Sequence, residues 1–184
     1  MAKQFDSISE KLSTFIAKQP VYFIASAAPD GRVNVSPKGG DTLRVLGPNR
    51  VAWLQLTGSG NETAAHLREI NRLTIMFCSF EGPPMILRLY GHGTITYPSD
   101  AGWEEMAALF PATPGARQIF DCQIEMVQTS CGFAVPFMDF VAERDTLTRW
   151  SENRGEDGLR QYWEDRNTLS IDGKETGMRE KLTE

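Results

Sequence analysis

The spacing of turn signals between residues 21 and 56 constrains this chain more than any other feature. Val21 to Ala27 is an apolar and aromatic run, and Pro29-Asp30-Gly31 is strong turn chemistry. Arg32 to Ser36 then alternates, with Val33 and Val35 on one face and Asn34 and Ser36 on the other. Thr42 to Leu46 is a third short strand, Gly47-Pro48-Asn49 a further turn, and Arg50 to Leu56 a fourth strand. Connections this short leave no room for crossover helices, so the strands pair antiparallel.

The flanking segments fit a small barrel. Ser7 and Glu10 have capping-box spacing, and Ile8, Leu12, Phe15 and Ile16 follow as one helical stripe that Pro20 ends. A short helix is predicted from Asn61 to about Ile70, a strand from Leu73 to Ser79 and a long strand from Met85 to Tyr97. Gly91-His92-Gly93 inside that long strand predicts a bulge, a sharp bend or a close approach. Residues 100–110 read as a helix. Ile119 to Gln128 alternates between an apolar row (Phe120, Cys122, Ile124, Met126) and a polar one. After Val135-Pro136 the composition becomes charged, and residues 143–166 are helical in character, interrupted by Gly155 and Gly158. The expectation is a mainly β fold: a small closed or partly closed antiparallel barrel over residues 1–142, with flanking helices and a helical C-terminal extension over 143–184 packed on the same domain or on a dimer partner.

Charge and cysteine usage exclude several function classes. The 184 residues carry net charge −5, and no basic run suits a polyanion, so neither nucleic acid nor an anionic membrane is an expected partner. The charge is uneven. Residues 1–100 hold 10 basic and 8 acidic residues and the remainder 9 and 16, so an anion site is sought in the first part. Three cysteines without CxxC spacing fit neither a disulfide framework nor a zinc site, and no metal is expected. No signal-like segment or stretch of membrane-spanning length is visible, so the expected location is the cytoplasm, with reduced thiols.

Two stretches carry candidate chemistry. Thr57-Gly58-Ser59-Gly60-Asn61-Glu62-Thr63 joins a strand to a helix, and Thr57, Ser59, Asn61 and Thr63 add hydroxyl and amide groups to the free N–H groups of a helix start. That chemistry suits a phosphate. It equally suits an ordinary N-cap, with Asn61 capping its own helix. In Asn34-Val35-Ser36-Pro37-Lys38-Gly39-Gly40 a strand ends at Ser-Pro and a lysine follows among glycines. Lys38 is either a cation within reach of a phosphate or a solvated loop lysine. No catalytic triad is present, and no catalytic side chain is assigned.

The run Arg32-Val33-Asn34-Val35-Ser36-Pro37-Lys38 after an Asp-Gly hairpin resembles the second barrel strand of the pyridoxamine 5′-phosphate oxidase-related, FMN-binding split-barrel family. Val51 to Thr63, followed by Ala65-His66-Leu67-Arg68, is similar to that family's next motif. The resemblance covers about residues 15–130 and implies that the barrel is a small antiparallel Greek-key split barrel. It implies an FMN-binding homodimer with two sites at the subunit interface, acting as a flavin-dependent oxidoreductase on a small molecule. It also implies that Ser36 and Lys38 approach the flavin or its phosphate. By the same likeness Val35 and Pro37 flank the ring, and Thr57, Ser59, Asn61 and Thr63 bind phosphate and ribityl chain. Two departures argue against pyridoxamine phosphate as substrate. The strand's basic pair is reduced to Lys38, and no histidine follows His92 to form the family's C-terminal Arg-x-His element. A non-enzymatic flavin carrier or sensor, a deazaflavin-dependent reductase and a haem-binding relative are the alternatives.

Overall fold

The computed structural model describes residues 2–183; Met1 and Glu184, the outermost residues of the two stretches above, lie outside the described residues. The elements are β1 (Lys3–Phe5), α1 (Glu10–Ala17), β2 (Val21–Ser26), β3 (Asn34–Gly39), β4 (Leu43–Gly47) and β5 (Arg50–Leu56). Then come α2 (Glu62–Glu69), β6 (Leu73–Cys78), β7 (Ile86–Thr96), α3 (Trp103–Ala107), β8 (Ala116–Ser130), α4 (Thr146–Arg166) and α5 (Met178–Thr183). The strands form one antiparallel sheet in the order β3-β2-β6-β7-β8-β5-β4, with β1 added to β8. It curls into a half-barrel, the split-barrel class that the family resemblance implies.

Burial explains the strand patterns. Ile24, Ile75, Leu87, Leu89 and Phe120 line the main core, where Trp53 stacks on Phe120 at 4.4 Å. Leu12 and Ile16 of α1 plug the same core. A second, smaller cluster joins Ala52, Leu54, Phe110 and Ile119 on the outer face under α3. β5 is thus covered on both sides, which accounts for its unbroken apolar run Val51-Ala52-Trp53-Leu54.

The helix cap differs from the sequence reading. Ser9, not Ser7, caps α1, accepting a hydrogen bond from the Leu12 N–H at 3.3 Å, and Glu10 is the first helical residue. Gly91 lies at a register shift between β7 and β8, where an added Cβ would collide with the Gln123 carbonyl. Bulge and close approach therefore occur together there. The bulge also moves the buried row of β8 from Ile124 to Val127, leaving Met126 half-buried.

β3 runs on to Gly39, so Pro37 and Lys38 belong to the strand rather than to the loop after it. β3 pairs only with β2, and an edge strand tolerates a proline. In α4 only Gly155 leaves helical geometry (φ 65°); Gly158 stays within the helix. The chain after α4 returns across the barrel, as described below.

Candidate functional site

A cleft of about 770 Å³ opens between edge strand β3, the loop 57–61 with the start of α2, β8, and the segment following α4. The alternation of β3 turns Asn34, Ser36 and Lys38 toward it, half-buried, while Val35 stands on the outer face, 60% exposed. The inward row is tied to α2. Ser36 Oγ donates to Asn34 Oδ1 at 3.1 Å, and Asn34 Nδ2 donates to Thr63 Oγ1 at 3.3 Å. Behind them Ser26 Oγ contacts Thr63 Oγ1 at 3.4 Å and His66 Nδ1 at 3.0 Å.

The loop delivers its groups unequally. Ser59, Asn61 and Thr63 line the cleft, and so does Pro37. Thr57 does not: its buried hydroxyl donates to the Gly115 carbonyl and accepts from Trp163 Nε1, both at 2.8 Å. That threonine anchors α4 to the barrel. Asn61 occupies the N-cap position of α2 without capping it. Its side chain accepts from Arg117 Nη2 at 3.2 Å and donates to the Asn167 carbonyl at 3.4 Å. The first-turn N–H groups of α2 are therefore left without a side-chain cap.

Arg117 is the residue that motif reading missed. A register shift sets Gln55 and Leu56 opposite Gln118 and Ala116, which makes Arg117 the extra residue of a bulge. The bulge directs its side chain under the loop, where it is 1% exposed. Nη1 donates to Asn167 Oδ1 at 2.5 Å, Nη2 donates to the Gly60 carbonyl at 3.1 Å, and Nε has no partner. No carboxylate bonds to it. Burial alone pushes the guanidinium down to about 10. Lys38 has no ion-pair or hydrogen-bond partner among the described residues. Burial, and then the charge of Arg117, bring its ammonium down to about 8. Two cations thus face one cleft with nothing anionic bonded to either.

The chain after α4 forms the remaining wall. Asp165, Arg166, Leu169, Ser170 and Ile171 line the cleft. It is pinned to the barrel: Glu62 accepts from the Ile171 N–H at 3.0 Å, Asp172 pairs with Arg32, and Lys174 with Asp30 at 2.7 Å and Glu69 at 2.8 Å. Neither histidine lines the cleft. His66 is buried in α2, and His92 lies on β7 beside Glu125 at 3.2 Å. Among the described residues no cluster suits a metal ion, the three cysteines are free, and no helix is long and apolar enough to cross a membrane.

Comparison with known proteins identifies the family. The family model for pyridoxamine 5′-phosphate oxidase matches residues 8–131. The chain is 37% identical over 201 residues to the pyridoxamine 5′-phosphate oxidase family protein ustO of Aspergillus flavus, covering 96% of this chain and 80% of the relative. Two solved structures share the fold at lower identity. One is a provisionally assigned pyridoxamine 5′-phosphate oxidase from Lactobacillus delbrueckii (TM-score 0.52, 17% identity, 67% of this chain and 94% of that one). The other is a histidine-to-alanine variant of Group A Streptococcus HupZ (TM-score 0.53, 15% identity, 67% and 99%). From the family match over most of its length and the identity to ustO, the chain belongs to the pyridoxamine 5′-phosphate oxidase family.

Proposed function

We propose that this protein binds FMN in the cleft between β3 and α2 and works as a flavin-dependent oxidoreductase on a small molecule other than pyridoxamine phosphate. The observation that carries this reading is the pair of cations, Arg117 and Lys38, with no counter-ion beside the uncapped start of α2. Desolvated cations with no anionic partner are costly unless a ligand supplies the anion. A phosphate monoester, carrying up to two negative charges, matches them. When bound, FMN supplies the hydride-accepting ring. The chain's own residues do the rest: Lys38, Arg117 and the α2 N–H groups hold the phosphate, Ser36 and Ser59 bond along the ribityl chain, and Leu169 and Ile171 exclude water at the mouth.

The test is titration of the purified protein with FMN, followed by flavin absorption and fluorescence. A perturbed band with quenching is the expected result; an unperturbed spectrum overturns the reading. A carrier or sensor role is supported by one observation: no histidine, cysteine or tyrosine lines the cleft, and its two carboxylates already accept hydrogen bonds, Glu62 from the Ile171 N–H and Asp165 from Gln161. Turnover of NADH or NADPH with a panel of acceptors separates the two. Competition between FMN and a deazaflavin decides the cofactor.

The same reading includes a homodimer. Phe133, Phe137, Met138, Phe140 and Val141 lie within nine residues and are 54–93% exposed. The accessible surface is 10444 Å², against about 8,900 Å² for a typical monomer of this mass. The excess is enough for one side of a standard interface of roughly 800 Å² per partner. Light scattering at micromolar concentration is expected to give twice the chain mass; the single-chain mass contradicts it.

A further inference from the structure

We propose that Asn167 is a positioning residue for the anion site: it aims Arg117 at a phosphate-bearing ligand while leaving the arginine's charge unspent. This rests on the phosphate reading of the cleft.

Asn167 is fully buried, and its polar atoms are all engaged. Oδ1 accepts from Arg117 at 2.5 Å, Nδ2 donates to the Gly58 carbonyl at 3.0 Å, and the main-chain carbonyl accepts from Thr176 Oγ1 at 2.6 Å and from Asn61 at 3.4 Å. One residue therefore fixes the guanidinium, the glycine loop and the helix-start asparagine together. A buried arginine whose task is only structural is expected to face a carboxylate. Here an amide takes that place. It orients the guanidinium through a hydrogen bond and adds no negative charge. The Nε of Arg117 is left without a partner, in a buried side chain that lines the cleft, so the chain itself does not saturate the guanidinium.

The segment carrying Asn167 is built to hold this pose. Leu169 and Glu175 bridge in antiparallel fashion, and the Thr176 N–H donates to the Thr168 carbonyl at 3.1 Å. The resulting loop is anchored to Glu62, Arg32, Asp30 and Glu69 of the barrel. Its two exposed aliphatic side chains, Leu169 at 40% and Ile171 at 70%, form a lip beside the charged floor. A phosphate monoester with an apolar body satisfies both.

The decisive substitution is Asn167→Asp. It keeps the oxygen that orients Arg117 but neutralises the guanidinium by an ion pair. FMN and riboflavin differ only in the phosphate, so their dissociation constants are measured side by side by fluorescence quenching. The expected result is a loss of about tenfold or more in FMN affinity, the scale of one charge-assisted hydrogen bond, with riboflavin affinity changed less than about twofold. Thr176→Val, which removes the hydroxyl holding the Asn167 carbonyl, is expected to act in the same direction by about threefold. It is the second readout if the aspartate variant does not fold. A parallel loss for both flavins, or no loss for FMN in either variant, overturns the proposal. If the unaltered protein binds no FMN, the cofactor reading falls. The readout is then thermal protection by inorganic phosphate: protection lost in Asn167→Asp supports the proposal, and no protection of the unaltered protein overturns it too.

Discussion

Two clefts at different ends of this barrel invite comparison. One, of about 1210 Å³, lies among α1, the β6–β7 turn and the segment after β8, with Phe15, Phe80, Met85 and Phe140 in its walls. Its charges balance, Lys3, Lys11 and Lys18 against Glu10, Glu81 and Asp139. The other is smaller, about 770 Å³, and its charges do not balance: Arg32, Lys38, Arg117 and Arg166 face only Glu62 and Asp165. Volume points to the first and chemistry to the second. A cleft with balanced charge and apolar walls is explained by packing and association alone. A buried arginine bonded only to carbonyl and amide oxygens, beside an unpaired lysine, is not, because no carboxylate of the chain bonds to either charge to offset its desolvation.

That contrast can be broken by substitution. The largest effect is expected from Arg117→Met, which removes the buried charge and both hydrogen-bonding arms. FMN affinity should fall about a hundredfold, and an unchanged dissociation constant would remove the basis for preferring the smaller cleft. Lys38→Met should weaken FMN about tenfold yet raise the melting temperature of the ligand-free protein, since an unpaired, half-buried ammonium opposes folding. The pH dependence sharpens this further. Lys38 is pushed down to about 8. Phosphate affinity is therefore expected to fall as pH rises through that value, and Lys38→Met should abolish this limb. The sign for stability is the reverse. The unfolded chain keeps the Lys38 proton to higher pH than the folded one, so this residue's penalty shrinks as pH rises from about 8 towards the ordinary lysine range.

The larger cleft supplies the control. Met85→Ala should cost about 2 kcal/mol in urea denaturation, because Met85 packs against the main core, and leave FMN affinity unchanged. The smallest effect is expected from Asp172→Asn. Hydrogen bonds from the Arg32 main chain and side chain hold the Asp172 carboxyl below the usual range, so its contribution to stability is lost as pH falls through that lowered value. The variant should flatten this acid limb and weaken FMN by about twofold. A larger loss would mean that the lip above the cleft, rather than its charged floor, dominates binding.

Legibility in the sequence followed the range of the interactions. The hairpins of β2–β3 and β4–β5 were readable because two-fold alternation and turn residues are local. Their ends were less so: an edge strand accommodates Pro37, which reads as a terminator in isolation. β1 was missed because three residues give too little pattern. Lys38, Ser59 and Asn61 could be picked out as strand-end and helix-start chemistry. Thr57 shows the weakness of that reasoning, because its hydroxyl is claimed by Trp163 from more than a hundred residues away. Arg117 gave no signal. It precedes the alternating run by two residues, and its burial depends on a bulge and on Asn167. It also lies in the acidic second part of the chain, where the charge count gave no reason to seek an anion site.

The wall contributed by residues 165–172 has a consequence for how the protein is made. Arg117 reaches its final setting only when Asn167 arrives, and Asn61 waits for the same residue. A chain emerging from the ribosome N-terminus first can complete all eight strands while the cleft still lacks a side. During that interval Arg117 lacks its Asn167 acceptor. On the phosphate reading of the cleft, ligand capture is therefore a late event in the life of each chain, and a chain that ends between β8 and Asn167 lacks the residue that orients Arg117.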